Sequence, residues 1–322
     1  MLRRTCLSFV VLLSALCVGA SARTAARSTE LAIRNQQSAI VRVAVLDMGA
    51  GSTAARASER VAKLFAESGG RTGVKLALLD RGMARAAARG AGYAGSLNMT
   101  LAEARSLGAS IGCDFYVTGD AQTIRRTSST RPVYFESYAS IFIVSSRTGR
   151  LVLWERPSAE GDTAERAEDS LLATLDARAG ERYASALAAT FEREERARFQ
   201  PTNAEEQGAV IDLSNEGGAD SVKDLREPAP YRRLRPAYTD AAYRAEAEAT
   251  VDAAVEIDSD GEVREVSIVR WAGFGLDEEV ASTVRRMHFR AAEREGEPVA
   301  VRVLLRYNFR RPPKIERAVD ER

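Results

Sequence analysis

The sequence predicts an α/β (α+β) protein of two domains, an N-terminal layered α/β domain followed by a C-terminal ββαβ domain. Three observations support this prediction. Strand and helix patterns alternate between residues 40 and 199, a polar stretch covers residues 200–235, and two strands, a helix and a last strand follow within residues 236–310. Alternating strands and helices are typical of layered α/β folds, and 322 residues are enough for two domains.

The composition is that of a globular protein and indicates no strongly charged ligand. There are 46 basic and 45 acidic residues, and the net charge of +1 gives no reason to expect nucleic acid as a partner. One histidine, His288, excludes metal sites built from several histidines, and only Cys113 of the three cysteines lies beyond residue 22. We therefore predict no catalytic set, no metal site and no cofactor, and we expect Cys113 to be buried and inert.

The first 22 residues have the features of a secretory signal peptide. Two arginines precede an apolar run from Cys6 to Val18, and residues 20–22 (Ala-Ser-Ala) offer a cleavage site. An uncleaved membrane anchor is the alternative, although the run is shorter than the ~20 residues of a full span. Residues 23–39 are then a leader linker, and in either case the rest of the chain lies outside the cytoplasm.

Residues 40–199 show strands and helices in alternation. The predicted elements are a strand at Ile40–Asp47, a helix at Ala54–Ala66, a strand at Val74–Leu79, a helix after Thr100, a strand at Phe115–Gly119, a hairpin of Tyr134–Val144 with Leu151–Trp154, and a long helix at Thr163–Phe199 with a break at Gly180. The first strand is apolar almost throughout, which predicts a sheet that is covered on both faces. Thr100 and Glu103 have the spacing of a capping box.

The segment from Gly49 to Ala54 permits a different hypothesis. It reads G-x-G-x-x-A between a strand and a helix, and Asp80 ends the next strand where a ribose-binding acid can lie. Small residues also form an ordinary turn in an Ala- and Gly-rich chain, and Asp47 would crowd a pyrophosphate. A nucleotide-binding enzyme that uses Gly49–Ala54 is therefore an alternative, and a protein without enzymatic activity is the preferred hypothesis.

Residues 40–191 resemble a known class of periplasmic domain. The segments IVRVAVLDM, VKLALLDR and SLNMTLAEARSLGASIGCDFYVTGDAQ, followed by a hairpin and a long helix, are similar to the CsgG and TolB amino-terminal domains. The resemblance implies a role in envelope assembly or scaffolding and supplies no catalytic residues.

The C-terminal unit shows a clear strand and helix order. Val251 to Ile257 alternates apolar and polar residues, as a half-buried strand does, and a second strand follows at Glu262–Trp271. Between them Asp260-Gly261 supplies the positive-φ positions of a tight turn. A helix begins near Asp277, which is placed to cap it, and the last strand alternates without interruption from Val299 to Phe309.

Residues 236–309 resemble the C-terminal domain of TonB-family energy transducers. The motif residues that carry the resemblance are Tyr238, Asp260, Gly261, Leu276, Asp277, Phe289 and Gly296. In that family the edge of the last strand pairs with a segment of an outer-membrane transporter, which is β-augmentation. The resemblance thus implies a partner-binding edge of Val299, Val301, Arg302, Val303, Leu305, Arg306 and Tyr307, whose arginines, with Asn308, either order a partner or solvate the sheet.

The chain also departs from that family. Tyr238-Thr239 replaces a Tyr-Pro pair, residues 287–291 lack the usual Trp and Pro, and the long Pro-rich spacer is absent. We therefore expect a periplasmic binding or scaffold protein whose partner is an envelope protein, such as an outer-membrane transporter or assembly factor. A TonB-type energy transducer for transmembrane transport, anchored in the inner membrane, is the alternative. Residues 200–235 are predicted to be a linker and residues 311–322 a tail.

Overall fold

The architecture was determined from a computed structural model. It describes residues 40–68, 74–128, 132–199, 210–214 and 222–311. The predicted signal peptide or anchor, the leader linker and the tail beyond Arg311 lie outside the described residues. Within those residues the chain is mixed α/β, as predicted.

The first sheet combines parallel and antiparallel strands. Its six strands are β1 (Ile40–Val45), β2 (Lys75–Leu78), β3 (Phe115–Arg126), β4 (Tyr134–Ser145), β5 (Leu151–Glu155) and β6 (Ser158–Gly161). Their order is β2-β1-β3-β4-β5, and β6 also pairs with β4. Strand β1 is parallel to β2 and β3, whereas β3, β4 and β5 are antiparallel. Consecutive residues of β1 are buried, as its continuous apolar sequence predicts.

Helices cover both faces of this sheet. They are α1 (Ser52–Ser68), α2 (Arg81–Gly90), α3 (Leu101–Ile111), α4 (Ala164–Thr174) and α5 (Ala177–Phe199). Apolar residues of α1, α4 and α5 pack on one face, and those of α2 and α3 pack on the other. The capping box predicted at Thr100 and Glu103 is present at the start of α3.

Two features of this domain differ from the sequence-based expectation. The pattern does not predict α2, because alanines and glycines fill that segment and only Ala84 and Ala88 are buried. The helix break expected at Gly180 is wrong, since the chain breaks at Leu175 and Asp176. The Asp176 carboxylate accepts the Ala179 N–H at 3.0 Å and so begins α5.

The C-terminal part forms a second sheet with short accessory strands. Its elements are β7 (Ile211–Asp212), β8 (Leu225–Arg226), β9 (Ala229–Pro230), α6 (Asp240–Ala245), β10 (Ala249–Ile257), β11 (Val263–Arg270), α7 (Leu276–Arg285), β12 (Phe289–Arg290), β13 (Ala292–Arg294), β14 (Glu297–Val299) and β15 (Val301–Phe309). The main sheet has the order β11-β10-β15-β7. Helix α7 packs on it through Leu276, Val280 and Val284, which are fully buried.

The stretch predicted to be a linker contains three short strands that pair with the C-terminal unit. Strand β7 joins β15, β8 joins β13, and β9 joins β12. Each contact covers only two residue pairs, which is why the polar sequence gives no strand pattern. Residues 211–212, 225–226 and 229–230 of the predicted linker thus lie against the C-terminal unit.

The two sheets share one apolar core. Trp271, at the end of β11, stacks on Phe142 of β4 with ring centroids 5.8 Å apart. Its indole N–H donates a hydrogen bond to the Gly149 carbonyl at 3.0 Å. The Asn98 side-chain amide donates to the Thr250 and Trp271 carbonyls, both at 2.7 Å. The C-terminal sheet is therefore packed directly on the first domain.

Candidate functional site

Strand β15 is the strand that the sequence assigns to partner binding. It pairs with β10 in antiparallel register along its whole length, from Phe309 opposite Ala249 to Val301 opposite Ile257. Its other side is the edge of the sheet except where β7 joins. The availability of this edge therefore depends on how far β7 extends.

Strand β7 covers only the beginning of the edge. The Ile211 N–H donates to the Ala300 carbonyl at 3.0 Å, and the Leu213 N–H donates to the Arg302 carbonyl at 2.7 Å. These bonds form a short parallel pair. A segment from outside the ββαβ unit is thus already held on this edge through main-chain hydrogen bonds.

The predicted strand from Val299 to Phe309 is in fact interrupted. Val299 belongs to β14 and pairs with Ala292 of β13, so it is not on the edge of the main sheet. The strand β15 begins two residues later, after Ala300. Alternation of apolar residues continues through the interruption, so the sequence pattern does not reveal it.

The direction of the main-chain groups identifies the open positions. Since the carbonyls of Ala300 and Arg302 point to β7, even-numbered residues of β15 direct their main-chain groups out of the sheet. Beyond β7 these residues are Leu304, Arg306 and Asn308. No strand in the described part of the chain pairs with Leu304 or Asn308. We call the segment from Leu304 to Asn308 the open edge.

The residues assigned to the edge from sequence lie in β15, apart from Val299, but their main-chain groups do not all point outward. The odd-numbered ones are Val301, Val303, Leu305 and Tyr307. Their main-chain groups face β10, and their side chains pack on the apolar core. The even-numbered Arg306 lies on the open edge, whereas β7 covers Arg302. Whether the odd-numbered or the even-numbered residues face outward can be decided only when the strand that pairs with β15 is known.

The polar side chains of β15 are engaged within the sheet. The Arg306 guanidinium donates to both carboxylate oxygens of Asp252, at 2.7 and 3.1 Å. Asp252 is buried and also accepts from Arg270 of β11 at 3.2 Å. Arg302 pairs with Glu256 of β10. These charges therefore link three strands across the sheet, as cross-strand pairs do.

The β10–β11 turn is built around an aspartate that precedes the predicted motif pair. The Asp258 carboxylate accepts the N–H groups of Asp260 and Glu262, both at 2.9 Å. Of the motif pair only Gly261 has a positive φ, +85°, so the expectation for Asp260 is wrong. The Phe289 N–H donates to the Gly261 carbonyl at 2.9 Å and ties the turn to the chain after α7.

The other motif residues have structural roles. The Tyr238 hydroxyl donates to the Ala247 carbonyl at 2.7 Å and its ring lies beside Phe309. Phe289 and Leu276 are buried in the core. Gly296 has a φ of +86° in the tight turn between β13 and β14.

Asp277 does not cap α7, contrary to expectation. The N-cap residue is Gly275, and the Asp277 carboxylate accepts the N–H groups of Ala272 and Gly273 at 2.8 and 2.9 Å. It thereby holds the loop in which Gly273, Phe274 and Gly275 all have positive φ. Burial raises the pKa of Asp277 to about 6, against the opposing effect of the two N–H groups.

We expect Asp277→Asn to change how stability depends on pH. Because the folded-state pKa of about 6 exceeds the ordinary 3.8, the folded protein binds more protons than the unfolded chain between pH 4 and 6. The contribution of Asp277 to the free energy of unfolding therefore falls as pH rises through that range. The variant lacks this contribution, so the difference between wild type and variant should change across pH 4–6 and stay constant above pH 7. Urea titrations at several pH values measure it, and a difference independent of pH would contradict the assignment.

Within the segment Gly49–Ala54, residues 49–51 belong to the connection between β1 and α1, and Ser52 begins the helix. Asp47, which precedes this segment, forms ion pairs with Arg81 and Arg85 of α2. Asp80, the proposed ribose-binding acid, caps α2 by accepting the Met83 N–H at 2.9 Å. The two acidic groups that nucleotide binding would involve are thus engaged in local structure.

Cys113 and His288 each have a local partner. Cys113 is buried, its sulfur is 3.4 Å from the Ser146 hydroxyl, and burial raises its thiol pKa to about 11. His288 is exposed and lies 3.0 Å from the Glu262 carboxylate.

Among the described residues, no helix combines the length and apolar content needed to cross a membrane.

Comparison with known proteins identifies the C-terminal domain. Residues 235–310 match the family model of the Gram-negative bacterial TonB protein C-terminal. A comparison with curated proteins gave no match. This family belongs to the bacterial cell envelope, and its presence associates the protein with the envelope.

Several solved structures are each similar to part of the chain. The Pseudomonas aeruginosa TonB C-terminal domain is 19% identical, covering 36% of this chain and 99% of its own, with a TM-score of 0.24. The hypothetical protein CT253 from Chlamydia trachomatis is 11% identical, covering 44% and 96%, with a TM-score of 0.30. The PelC dodecamer from Paraburkholderia phytofirmans is 13% identical, covering 44% and 87%, with a TM-score of 0.25. The family match identifies residues 235–310 as a TonB C-terminal domain.

Proposed function

We propose that the protein is a periplasmic, non-enzymatic binding or scaffold protein that captures an extended segment of a partner on the open edge of β15. The partner is an envelope protein, such as an outer-membrane transporter or assembly factor, as TonB-family membership of the C-terminal domain suggests. Binding is by β-augmentation, in which main-chain hydrogen bonds hold the added strand and alternate side chains select it.

One observation carries this proposal. The edge of β15 already holds β7, a segment from outside the domain, through hydrogen bonds at Ala300 and Arg302. Beyond β7, Leu304 and Asn308 have the same strand geometry, and no described strand pairs with them. An added segment of about three to five residues would extend the sheet along them, since a strand rises about 3.3 Å per residue.

A proline at Leu304 tests the main-chain mechanism. Its ring removes an outward N–H that no described strand uses, so the fold should persist. Partner capture should fall by about tenfold or more, because the lost hydrogen bond and the clash of the ring together exceed about 1.4 kcal/mol. The measurement is in-cell crosslinking from a photoreactive residue at Asn308, followed by mass identification of the attached protein.

Two matched variants interpret the result. Leu304→Ala keeps the N–H and removes most of the side chain, so it should retain capture. Val303→Pro removes an N–H that faces β10 and should destabilise the sheet itself. Equal crosslinking by the proline and alanine variants at position 304 would contradict capture by β-augmentation.

A further inference from the structure

A second strand edge of the C-terminal sheet faces the first domain. Strand β11 is the edge opposite β7, and β5 is an edge of the first sheet. A cavity of about 320 Å³ lies between them, lined by residues 150–154 on one side and 265–268 on the other. Leu101, Trp271, Asp277 and Glu278 complete the lining. We call this cavity the inter-sheet groove.

On β11, main-chain groups point away from β10 at two positions in the groove. The main-chain groups of odd-numbered β10 residues bond to β15. Those of even-numbered β10 residues therefore bond to β11, where their partners are Ser267 and Glu265. The main-chain groups of Val266 and Ile268 are therefore directed out of the sheet. No strand in the described residues pairs with them.

On β5 the same reasoning identifies Trp154. The Ser145 N–H donates to the Arg150 carbonyl, so odd-numbered residues of β4 face β5. Their partners Leu153 and Glu155 therefore point inward, and the main-chain groups of Trp154 point away from β4. Both sides of the groove thus offer main-chain donors and acceptors that only another strand can pair with in register.

The side chains of the groove favour a particular sequence character. Leu101 and Trp154 provide apolar surface for every second side chain of an extended segment. The acidic groups of Glu265 and Glu278, both exposed, outnumber the one basic residue of the lining, Arg150. The complementary segment therefore alternates apolar with basic side chains.

We propose that the inter-sheet groove binds an extended segment of a partner protein in which apolar and basic residues alternate, so that the segment adds a strand beside β11 and β5. This site is separate from the open edge of β15 and does not depend on it. The protein would then hold two extended segments at the two opposite edges of the C-terminal sheet.

The two tryptophans of the chain, Trp154 and Trp271, both line the groove, so their fluorescence reports its occupancy. The probe is an acetylated, amidated pentapeptide of alternating valine and lysine, titrated into the full chain. We expect a saturable change in emission. The same peptide with N-methylated valines should bind at least tenfold more weakly, because it cannot donate to one side of the groove.

Charge and location controls sharpen the experiment. Glu278→Lys should weaken binding about two- to fivefold at low salt, the range of a partly exposed ion pair. Glu279→Lys, in the same helical turn but outside the groove lining, should leave binding unchanged. Leu304→Pro should also leave it unchanged, since it alters the opposite edge.

Several outcomes would overturn the proposal. These are no saturable change at millimolar peptide with a folded protein, equal binding of the N-methylated peptide, or loss of binding in Leu304→Pro. A change in the emission of the free protein on removal of residues 312–322 would assign the groove to the chain's own tail and would equally overturn it.

Discussion

Replacing Trp271 by alanine is expected to lower the free energy of unfolding by about 3–5 kcal/mol, the usual effect of removing a large buried aromatic side chain. Trp271 is 2% exposed and lies where the two sheets meet. The change leaves a cavity against Phe142 and removes the hydrogen bond to the Gly149 carbonyl. It therefore weakens contacts within the C-terminal sheet and between the two sheets at once.

Urea unfolding followed by circular dichroism measures this effect. The wild type should unfold in one transition, since the sheets share a core, and the variant should show two as they separate. Trp271→Phe is the matched control, because it keeps an aromatic ring beside Phe142 and loses only the indole donor. Its expected loss is about 1–3 kcal/mol. An alanine variant as stable as the wild type would contradict the shared core.

Gly261→Ala is expected to destabilise the C-terminal domain by more than 3 kcal/mol, since two effects add. A side chain at a φ of +85° costs about 1–2 kcal/mol. In addition, a Cβ at this position would lie 1.9 Å from the Phe289 carbonyl oxygen, so the backbone after α7 must move. The hydrogen bond between these residues would then be lost.

Gly296→Ala separates the two effects. Gly296 has nearly the same φ, +86°, but a Cβ there meets nothing within 4 Å. We expect this variant to lose only about 1–2 kcal/mol, the cost of the backbone conformation. Thermal unfolding of both proteins gives the comparison. Equal losses for the two glycines would show that the contact with Phe289 has no energetic role.

Local sequence pattern accounts for much of the C-terminal fold. The alternation of Val251, Val255 and Ile257 with Asp252 and Glu256 predicts β10. The apolar stripe through Leu276, Val280 and Val284 predicts α7. Each pattern depends only on neighbours in sequence. Helix α2 escapes this reasoning, since its buried residues are alanines in an alanine-rich segment. The stacking of Trp271 on Phe142 escapes it too, because contact between residues this far apart leaves no local pattern.

The sequence predicts which strand holds the candidate site, but it does not predict which residues of that strand face outward. The TonB-family resemblance and alternation together point to the last strand. The residues whose main-chain groups face outward are those that do not bond to β10. They can be identified only from the structure, in which the carbonyls of Ala300 and Arg302 accept hydrogen bonds from β7. Strand β7 itself has too few residues to show a period of two.

Amide hydrogen exchange, measured residue by residue along β15, tests the open edge most directly. In the free protein we expect fast exchange at Leu304 and Asn308 and slow exchange at Val303, Leu305 and Tyr307, whose N–H groups bond to β10. Addition of a captured partner segment should slow exchange at Leu304 and Asn308. Slow exchange at those positions in the free monomer, or no slowing when the partner binds, would contradict an edge that captures an added strand.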